Sequence, residues 1–196
     1  MAFPRLVRAT GSPSDALEER SDDELMRLAR AGHKPAFAVL VERHARRVVA
    51  CCTRSVNDAH LGRELAQDTW VLVWQGRDKY RADGGFVPWL VTIARNHCRN
   101  ELRRRTRATR DGEAAPDELA HATGPLDDLL ALERRRAVHG ALAVLAEPLR
   151  EALLLRFGEE LRYDEMASVA RTGESTLRSR VHHALKALRL ELEKDP

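Results

Sequence analysis

Between Pro35 and Cys52, apolar side chains return every three or four positions, at Phe37, Leu40, Val41, Val48 and Cys52, with His44 on the same line. That spacing is the period of an α-helix burying one stripe, and it fits no strand, whose side chains alternate every second residue. The same period recurs in "SDDELMRLARAG", "AHLGRELAQDTWVLVW", "FVPWLVTIARNHCRNELRRR", "LLALERRRAVHGALAVL" and "EPLREALLLRFG". Runs of β-branched residues are sparse, so the sequence predicts an all-α fold. The punctuation agrees. Ser21 followed by Glu24 fits a capping box, and Gly32 fits a helix stop. Asn57 or Asp58 can cap the helix that follows, and Pro88 suits an early helical position.

One stretch breaks the period. "TRATRDGEAAPDELAHATGPLDD", residues 106–128, is rich in Ala, Gly, Pro, Thr and acids and reads as a linker. Charge marks the same divide: residues 1–110 carry 21 Lys/Arg against 13 Asp/Glu, 111–133 hold 7 acids and no base, and 134–196 carry 12 bases against 10 acids. The expected architecture is two small helical domains, residues 21–105 and 129–196, joined by a flexible acidic linker, with a disordered extension over 1–20. A hydrophobic share of 43% over 196 residues is enough for real cores. No apolar run approaches the ~20 residues that cross a bilayer. The N-terminus lacks an apolar leader segment, so a cytoplasmic protein without a membrane span is expected. Cys51 and Cys52 are adjacent and Cys98 stands apart, which predicts reduced thiols rather than a disulfide framework.

Two basic pieces flanking an acidic tether are the electrostatic footprint of a nucleic-acid binder. "EMASVARTGESTLRSRVHHAL" holds two short helical patterns around a Thr-Gly turn. On a wheel advancing about 100 degrees per residue, Leu177, Val181, Ala184, Leu185 and Leu188 share the side to be buried. Ser175, Arg178, Ser179, His182, His183 and Lys186 spread over the other side, with Thr176 and Arg180 on its flank. Met166, Ala167 and Ala170 give the preceding segment a small packing face. This is a helix-turn-helix pattern, in which the second helix enters a major groove. Arg can donate two hydrogen bonds to guanine, Ser or His can read either edge, and Arg180 is better placed for a phosphate. An ordinary amphipathic helix with a solvated face has the same pattern.

The wheel drawn from Trp89 adds a second face. Phe86, Leu90, Ile93, Ala94 and His97 gather on one side; Trp89, Thr92, Arg95, Asn96, Arg99, Asn100 and Arg103 stand on the other. An outward Trp beside two amides and several arginines suits unpaired bases. Aromatic stacking is worth about 1–3 kcal/mol per base, amides read base edges and arginines follow phosphate. The alternative packs Trp89 under the "YRADGG" loop and leaves the arginines solvated. The sequence has no phosphate-cradling Gly loop, no His/Asp constellation around a Ser or Cys, and no metal-ligand spacing. Hence no enzyme, no catalytic residue, no cofactor and no metal are expected.

Five stretches in order, "AFAVLVERHARRV", "ELAQDTWVLVW", "FVPWLVTIARNHCRNELRRR", "LREALLLRFGEELRYDEMA" and "STLRSRVHHALKALR", resemble the bacterial RNA polymerase sigma factors of the extracytoplasmic-function group. The resemblance covers Ser21 to Arg105, the family's second region, and Leu129 to Leu192, its fourth. It implies a factor that binds core RNA polymerase and directs promoter-specific initiation of a stress- or signal-responsive regulon, cytoplasmic and nucleoid-associated when bound to polymerase. In the family the segment matching "ELAQDTW" docks on a coiled coil of the polymerase's largest subunit. Glu64, Gln67 and Asp68 would be its polar contacts, with Leu65 and Leu72 packed inside and Trp70 and Trp74 in the core. The minus-ten element would be opened and a flipped non-template base held between the "RADGGF" loop and the following helix, which implicates Arg81, Trp89, Arg95, Asn96, Arg99, Asn100 and Arg103. The minus-thirty-five element would be read as duplex by Ser175, Thr176, Arg178, Ser179, Arg180, His182 and His183. An inhibitory anti-sigma protein would sit in the cleft between the two blocks.

Departures from the family pattern fall in the turn. Arg171 and Thr172 stand where Gly and an aliphatic residue are usual, so Gly173 is expected to supply the unusual backbone angle. Ser175 replaces a common Gly, and His183 a frequent Arg, so the duplex preference is not copied from relatives. The rival reading is a helix-turn-helix regulator with a sensor domain, binding duplex operator DNA without polymerase. The Trp89 face argues against it.

Overall fold

The computed structural model of the 196-residue chain describes residues 15–110, 140–142 and 144–192. The first block is built from α1 (Asp15–Glu18), α2 (Asp22–Arg30), α3 (Lys34–Val56), α4 (Ala59–Gly76) and α5 (Phe86–Arg110). The second comprises α6 (Glu147–Leu153), continued by a π-helical turn over Leu154–Gly158, then α7 (Tyr163–Ala170) and α8 (Glu174–Leu192). No strand occurs among the described residues.

Local chemistry fixes the helix ends. Ser21 and Glu24 form the reciprocal capping box, and Gly32 follows α2 at φ 89°. Asn57 and Asp58 divide the work between two helices. Asn57 closes α3 in the left-handed region at φ 55°, and Asp58 Oδ1 accepts from the backbone N–H groups of His60 and Leu61 at 2.8 and 3.0 Å. A cap that sequence reading passed over is His33, whose Nδ1 accepts from the Ala36 N–H at 3.2 Å.

α3 is the axis of the first block and packs against α2, α4 and α5. Leu40, Val48 and Cys52 on its inner stripe are buried with Leu25, Met26, Leu61, Leu65, Val73 and Leu90. Each such side chain contributes roughly 1.5–3 kcal/mol of burial. A Cβ on Gly62 would lie 2.4 Å from Thr53 Oγ1 and 2.6 Å from its Cα, so only glycine lets α3 and α4 approach this closely. Phe37 packs on both Trp70 and Trp74, with ring centroids 5.9 and 4.9 Å apart. Leu72 does not pack inside as expected. It is 38% exposed, beside Val71.

The last residues of the expected disordered extension are placed. Leu17 packs against the core, and Arg43 donates to the carbonyls of Glu18 and Arg20 at 3.0 and 3.1 Å. Arg43 also pairs with Asp22, whose other oxygen meets His44 Nε2 at 2.7 Å. Burial pushes the Asp22 carboxyl up, but His44 and Arg43 outweigh it and hold its pKa below the usual 3.8. At the other end of the block, α5 runs to Arg110, past the expected boundary at Arg105. The rest of the expected linker, 111–128, lies outside the described residues.

In the second block Leu155, Leu161, Met166, Leu177, Val181 and Ala184 are buried. Leu185, expected on that stripe, is 44% exposed. The turn between α7 and α8 departs from expectation as well. Arg171 itself adopts the left-handed conformation at φ 52°, and Gly173 does not have a positive φ. A side chain in that region costs about 1–2 kcal/mol, offset here by the Arg171 N–H bonding to the Ala167 carbonyl.

The two blocks touch. α7 packs against α5, and the buried apolar residues of both belong to one continuous core.

Candidate nucleic-acid interface

The face of α5 begins with Trp89. Its ring is half-buried, 5.1 Å from Tyr80 and 6.1 Å from Phe86 between centroids, both in edge or tilted contacts. The aromatic floor is fixed in turn: Tyr80 is buried and its hydroxyl donates to Asp23. Burial, then Asp23, push the Tyr80 phenol well above the usual range, so it stays a neutral donor. Trp89 therefore combines the two sequence readings, with one part of the ring packed against the loop aromatics and the rest open.

About two, three and four turns on, Asn96, Asn100 and Arg103 are exposed on the same side as Trp89. Arg81 is exposed at the loop, where Nη1 donates to the carbonyls of Tyr80 and Asp78 at 3.0 and 3.2 Å. Together they make an exposed polar set. Arg95 does not join it. At about 120 degrees from Trp89 around the helix, it turns toward the second block and meets Glu151 at 2.7 Å, leaving its side chain only 12% exposed. Arg99 lies between, half exposed and 3.5 Å from the same carboxylate.

A further ion pair and two arginine-to-carbonyl hydrogen bonds join the blocks. Glu159 is 2% exposed; its Oε1 accepts from Arg54 at 2.5 Å, and its backbone carbonyl accepts from Arg47 at 2.6 Å. Arg54 also donates to the Gly158 carbonyl at 2.9 Å. None of these contacts was legible in the sequence, because each joins residues about a hundred positions apart. Arg54, Arg95, Cys98, Arg99, Glu147 and Glu151 line a cavity of about 500 Å³ between the blocks. The nearby thiols diverge: burial and then Glu159 raise Cys51, contact with Cys98 and then burial raise Cys52, and contact with Cys52 lowers Cys98 against burial.

The second face is on α8. Leu177, Val181 and Ala184 point into the core, which leaves Ser175, Thr176, Arg178, Ser179, His182 and His183 exposed along one side. Arg180 is half-buried on the flank, as the wheel placed it. Arg178 is held: its guanidinium carbon lies 4.4 Å from the Tyr163 ring centroid and its Nη2 is 3.3 Å from Glu174. Tyr163 was missed because it precedes the two-helix pattern, although an aromatic opening α7 beside a basic helix is a readable signal.

A third surface lies on α4. Glu64, Gln67 and Asp68 are exposed on one side, with Val71 54% exposed and Leu72 adjoining them. Asp68 comes within 3.7 Å of His97 on α5, beyond hydrogen-bond range. Among the described residues no cluster of His, Cys, Asp and Glu could hold a metal ion, and no helix is long and apolar enough to cross a membrane.

Known proteins share this arrangement. Sigma-70 region 2 matches residues 40–108 and Sigma-70 region 4 matches residues 135–188. The RNA polymerase sigma-H factor of Pseudomonas aeruginosa is 30% identical over 181 residues, 88% of this chain and 94% of that one. The ECF RNA polymerase sigma-E factor of Escherichia coli K12 is 28% identical over 180 residues, 87% of this chain and 94% of its own. In fold, the chain is similar to the RpoE of Bartonella quintana solved with the anti-sigma factor NepR, with a TM-score of 0.65 and 24% identity over 82% of this chain and 98% of that one. The likeness spans both blocks, which a stand-alone operator-binding regulator does not require.

Proposed function

The chain belongs to the sigma-70 family of RNA polymerase sigma factors, in its ECF group, and from that premise we propose how its surfaces divide promoter recognition. As a sigma factor it binds core RNA polymerase and directs promoter-specific initiation. The first block grips the opened minus-ten element. Trp89 offers its open ring area for stacking, Asn96 and Asn100 read base edges, and Arg81, Arg99 and Arg103 follow the strand's phosphates, with Arg95 available to the strand once Glu151 leaves it.

The second block reads the minus-thirty-five element as intact duplex. Arg178, Ser179, His182 and His183 face base edges, while Ser175, Thr176 and Arg180 contact phosphates and set the register. Glu64, Gln67 and Asp68 make the polar contacts with the polymerase, and the exposed Val71 and Leu72 beside them supply apolar area to the same surface. The phosphodiester chemistry belongs to the polymerase. An anti-sigma protein is a fitting partner for the region between the blocks, in keeping with the one named in the Bartonella structure. That partner would tie the chain to a signal-responsive regulon.

The observation that carries this reading is the presence of two exposed polar faces, one beside an aromatic platform and one on the second helix of a helix-turn-helix, on separate blocks of one chain. An electrophoretic shift with and without core polymerase, followed by run-off transcription on genomic fragments, tests it. The isolated chain should bind duplex weakly and without selectivity, and the chain with core should start promoter-specific transcripts. Failure to associate with core, or tight sequence-specific binding by the chain alone, overturns it.

A further inference from the structure

The ring of Tyr163, the first residue of α7, faces two guanidinium groups. Arg156 is fixed, because its Nη1 donates to the Leu161 carbonyl at 2.9 Å, and its guanidinium carbon stands 5.3 Å from the ring centroid. Arg178 comes closer, at 4.4 Å. Its chain lies on the exposed side of α8, and Glu174, one turn earlier on the same helix, takes one of its N–H groups at 3.3 Å. Arg178 is thus restrained in two ways, by the ring over which its guanidinium carbon stands and by a carboxylate that accepts one of its N–H groups. Its side chain remains 60% exposed, so the restraint does not close it off from a ligand.

A free arginine side chain samples many rotamers, and ordering it at an interface opposes binding. Bidentate base recognition needs the fork aligned in the plane of the base pair. Stacking on an aromatic face leaves the in-plane donors unused, since the ring attracts the cation through its quadrupole and occupies no N–H direction. Of the other exposed residues on this face, His182 and His183 lie against each other, 5.8 Å between ring centroids, and not on a ring of another element. The residue with the greatest rotamer freedom on this face is the one the fold restrains.

We propose that Tyr163 is a positioning residue for sequence discrimination by Arg178, holding its guanidinium over the α7 ring in an orientation ready for a base edge in the major groove. This rests on the reading that α8 enters the groove and that Arg178 contacts a base there. Tyr163 contributes to specificity at one base pair while touching no base itself.

The test uses the full chain assembled with core polymerase. Duplex promoter fragments, first obtained by run-off selection and then randomised over the upstream element, are bound and sequenced. Arg178→Ala should flatten the preference at one base pair, which reports on the underlying reading. Tyr163→Leu should weaken the preference at that same base pair by roughly two- to five-fold, the size of an exposed cation–π contact, and Tyr163→Phe should leave it unchanged. In the Arg178→Ala background, Tyr163→Leu should add nothing. If Tyr163→Leu disturbs the fold, a series of increasingly fluorinated phenylalanines at position 163 replaces it. Fluorine drains the ring face of negative charge at nearly constant shape, so the preference should decline stepwise with fluorine number.

A flat response to fluorination, a loss shared equally by all sequences, or an effect that persists without Arg178 overturns the proposal while leaving the groove-reading assignment intact. An Arg178→Ala variant with unchanged preference at every position overturns both.

Discussion

The contact between Glu159 and Arg54 joins the two blocks and can be isolated by mutation. Glu159 is 2% exposed and Arg54 30%, at 2.5 Å. A hydrogen bond to a charged group contributes about 1.5–3 kcal/mol, and removing one partner of a buried pair costs about 3–5 kcal/mol when the survivor stays buried. The two truncations are therefore unequal. Arg54→Ala leaves a buried carboxylate without its cation and the Gly158 carbonyl without its donor, which should cost about 3 kcal/mol. Glu159→Ala leaves an arginine that can regain water, and should cost about 1.5–2 kcal/mol. The upper end of the range is not reached, because Arg54 Nε and Glu159 Oε2 are buried without hydrogen-bond partners. In the double variant the coupling should be about 1.5 kcal/mol.

Urea unfolding followed by two probes reads it out. Trp70, Trp74 and Trp89 are the chain's 3 tryptophans, all in the first block, so fluorescence reports that block while far-ultraviolet circular dichroism reports both. The two transitions should coincide in the wild type and separate in Arg54→Ala, where the second block unfolds at lower urea. Additive single effects, or equal costs for the two truncations, would refute the reasoning.

Asn96→Ala should impair permanganate-detected strand opening while leaving core binding and melting temperature unchanged; it is a cleaner probe than Trp89→Ala, which also removes packing against Tyr80 and Phe86. Glu151→Gln removes the charge that holds Arg95 and Arg99, and should raise affinity for a single-stranded oligonucleotide in fluorescence anisotropy by up to about ten-fold, equivalent to ~1.4 kcal/mol, with Arg95→Ala abolishing the gain. Hydrogen bonding from Arg104 foremost, with Arg105 helping against burial, holds the Glu101 carboxyl at about 2, below its ordinary 4.5. Its contribution to α5 is therefore complete above about pH 4.5 and fades as pH falls toward 2, so Glu101→Gln should melt lower than wild type at pH 7 and converge with it by about pH 2.

Within each helix, the sequence told nearly everything. Capping boxes, the Gly32 stop and the inner stripes of α3 and α8 rest on neighbours three or four positions apart, and that is the range over which a wheel is informative. The failures came where another element decides. Val91 and Cys98, left off the buried side of α5, are covered because the helix has packing partners on more than one side. Leu72 and Leu185 lie at the edge of their stripes, and a wheel cannot say how wide the covering neighbour is. Arg171 takes the left-handed angle that a glycine would ordinarily take, because turn position outweighs residue preference by only about 1–2 kcal/mol. Of the candidate site, the exposed residues of α8 fall where the periodicity placed them, and Glu64, Gln67 and Asp68, which the resemblance named, are exposed on α4. The inter-block ion pairs, Tyr163 and the commitment of Arg95 to Glu151 do not follow from any local pattern.

Geometry sets the docked blocks apart from the promoter-bound arrangement. The minus-ten and minus-thirty-five elements are roughly 25 base pairs apart by their names, about 85 Å of duplex at ~3.4 Å per step. The 25-residue α5, the longest described helix, is only about 37 Å long, and the second block lies directly against it. Two faces so close cannot meet both elements at once. Arg95 reaches the same conclusion from electrostatics. A strand phosphate and the Glu151 carboxylate are both anions, and at 4 Å they repel by about 4 kcal/mol at an effective dielectric of ~20. Strand binding through Arg95 therefore competes with the docking contact, whereas Asn96, Asn100 and Arg103, which have no such partner across the interface among the described residues, can engage in either arrangement. On the proposed reading, in which a polymerase spaces the two ends, contacts that hold those ends together must be weak enough to surrender, and the unpaired atoms in the Arg54–Glu159 bridge keep that one below full strength.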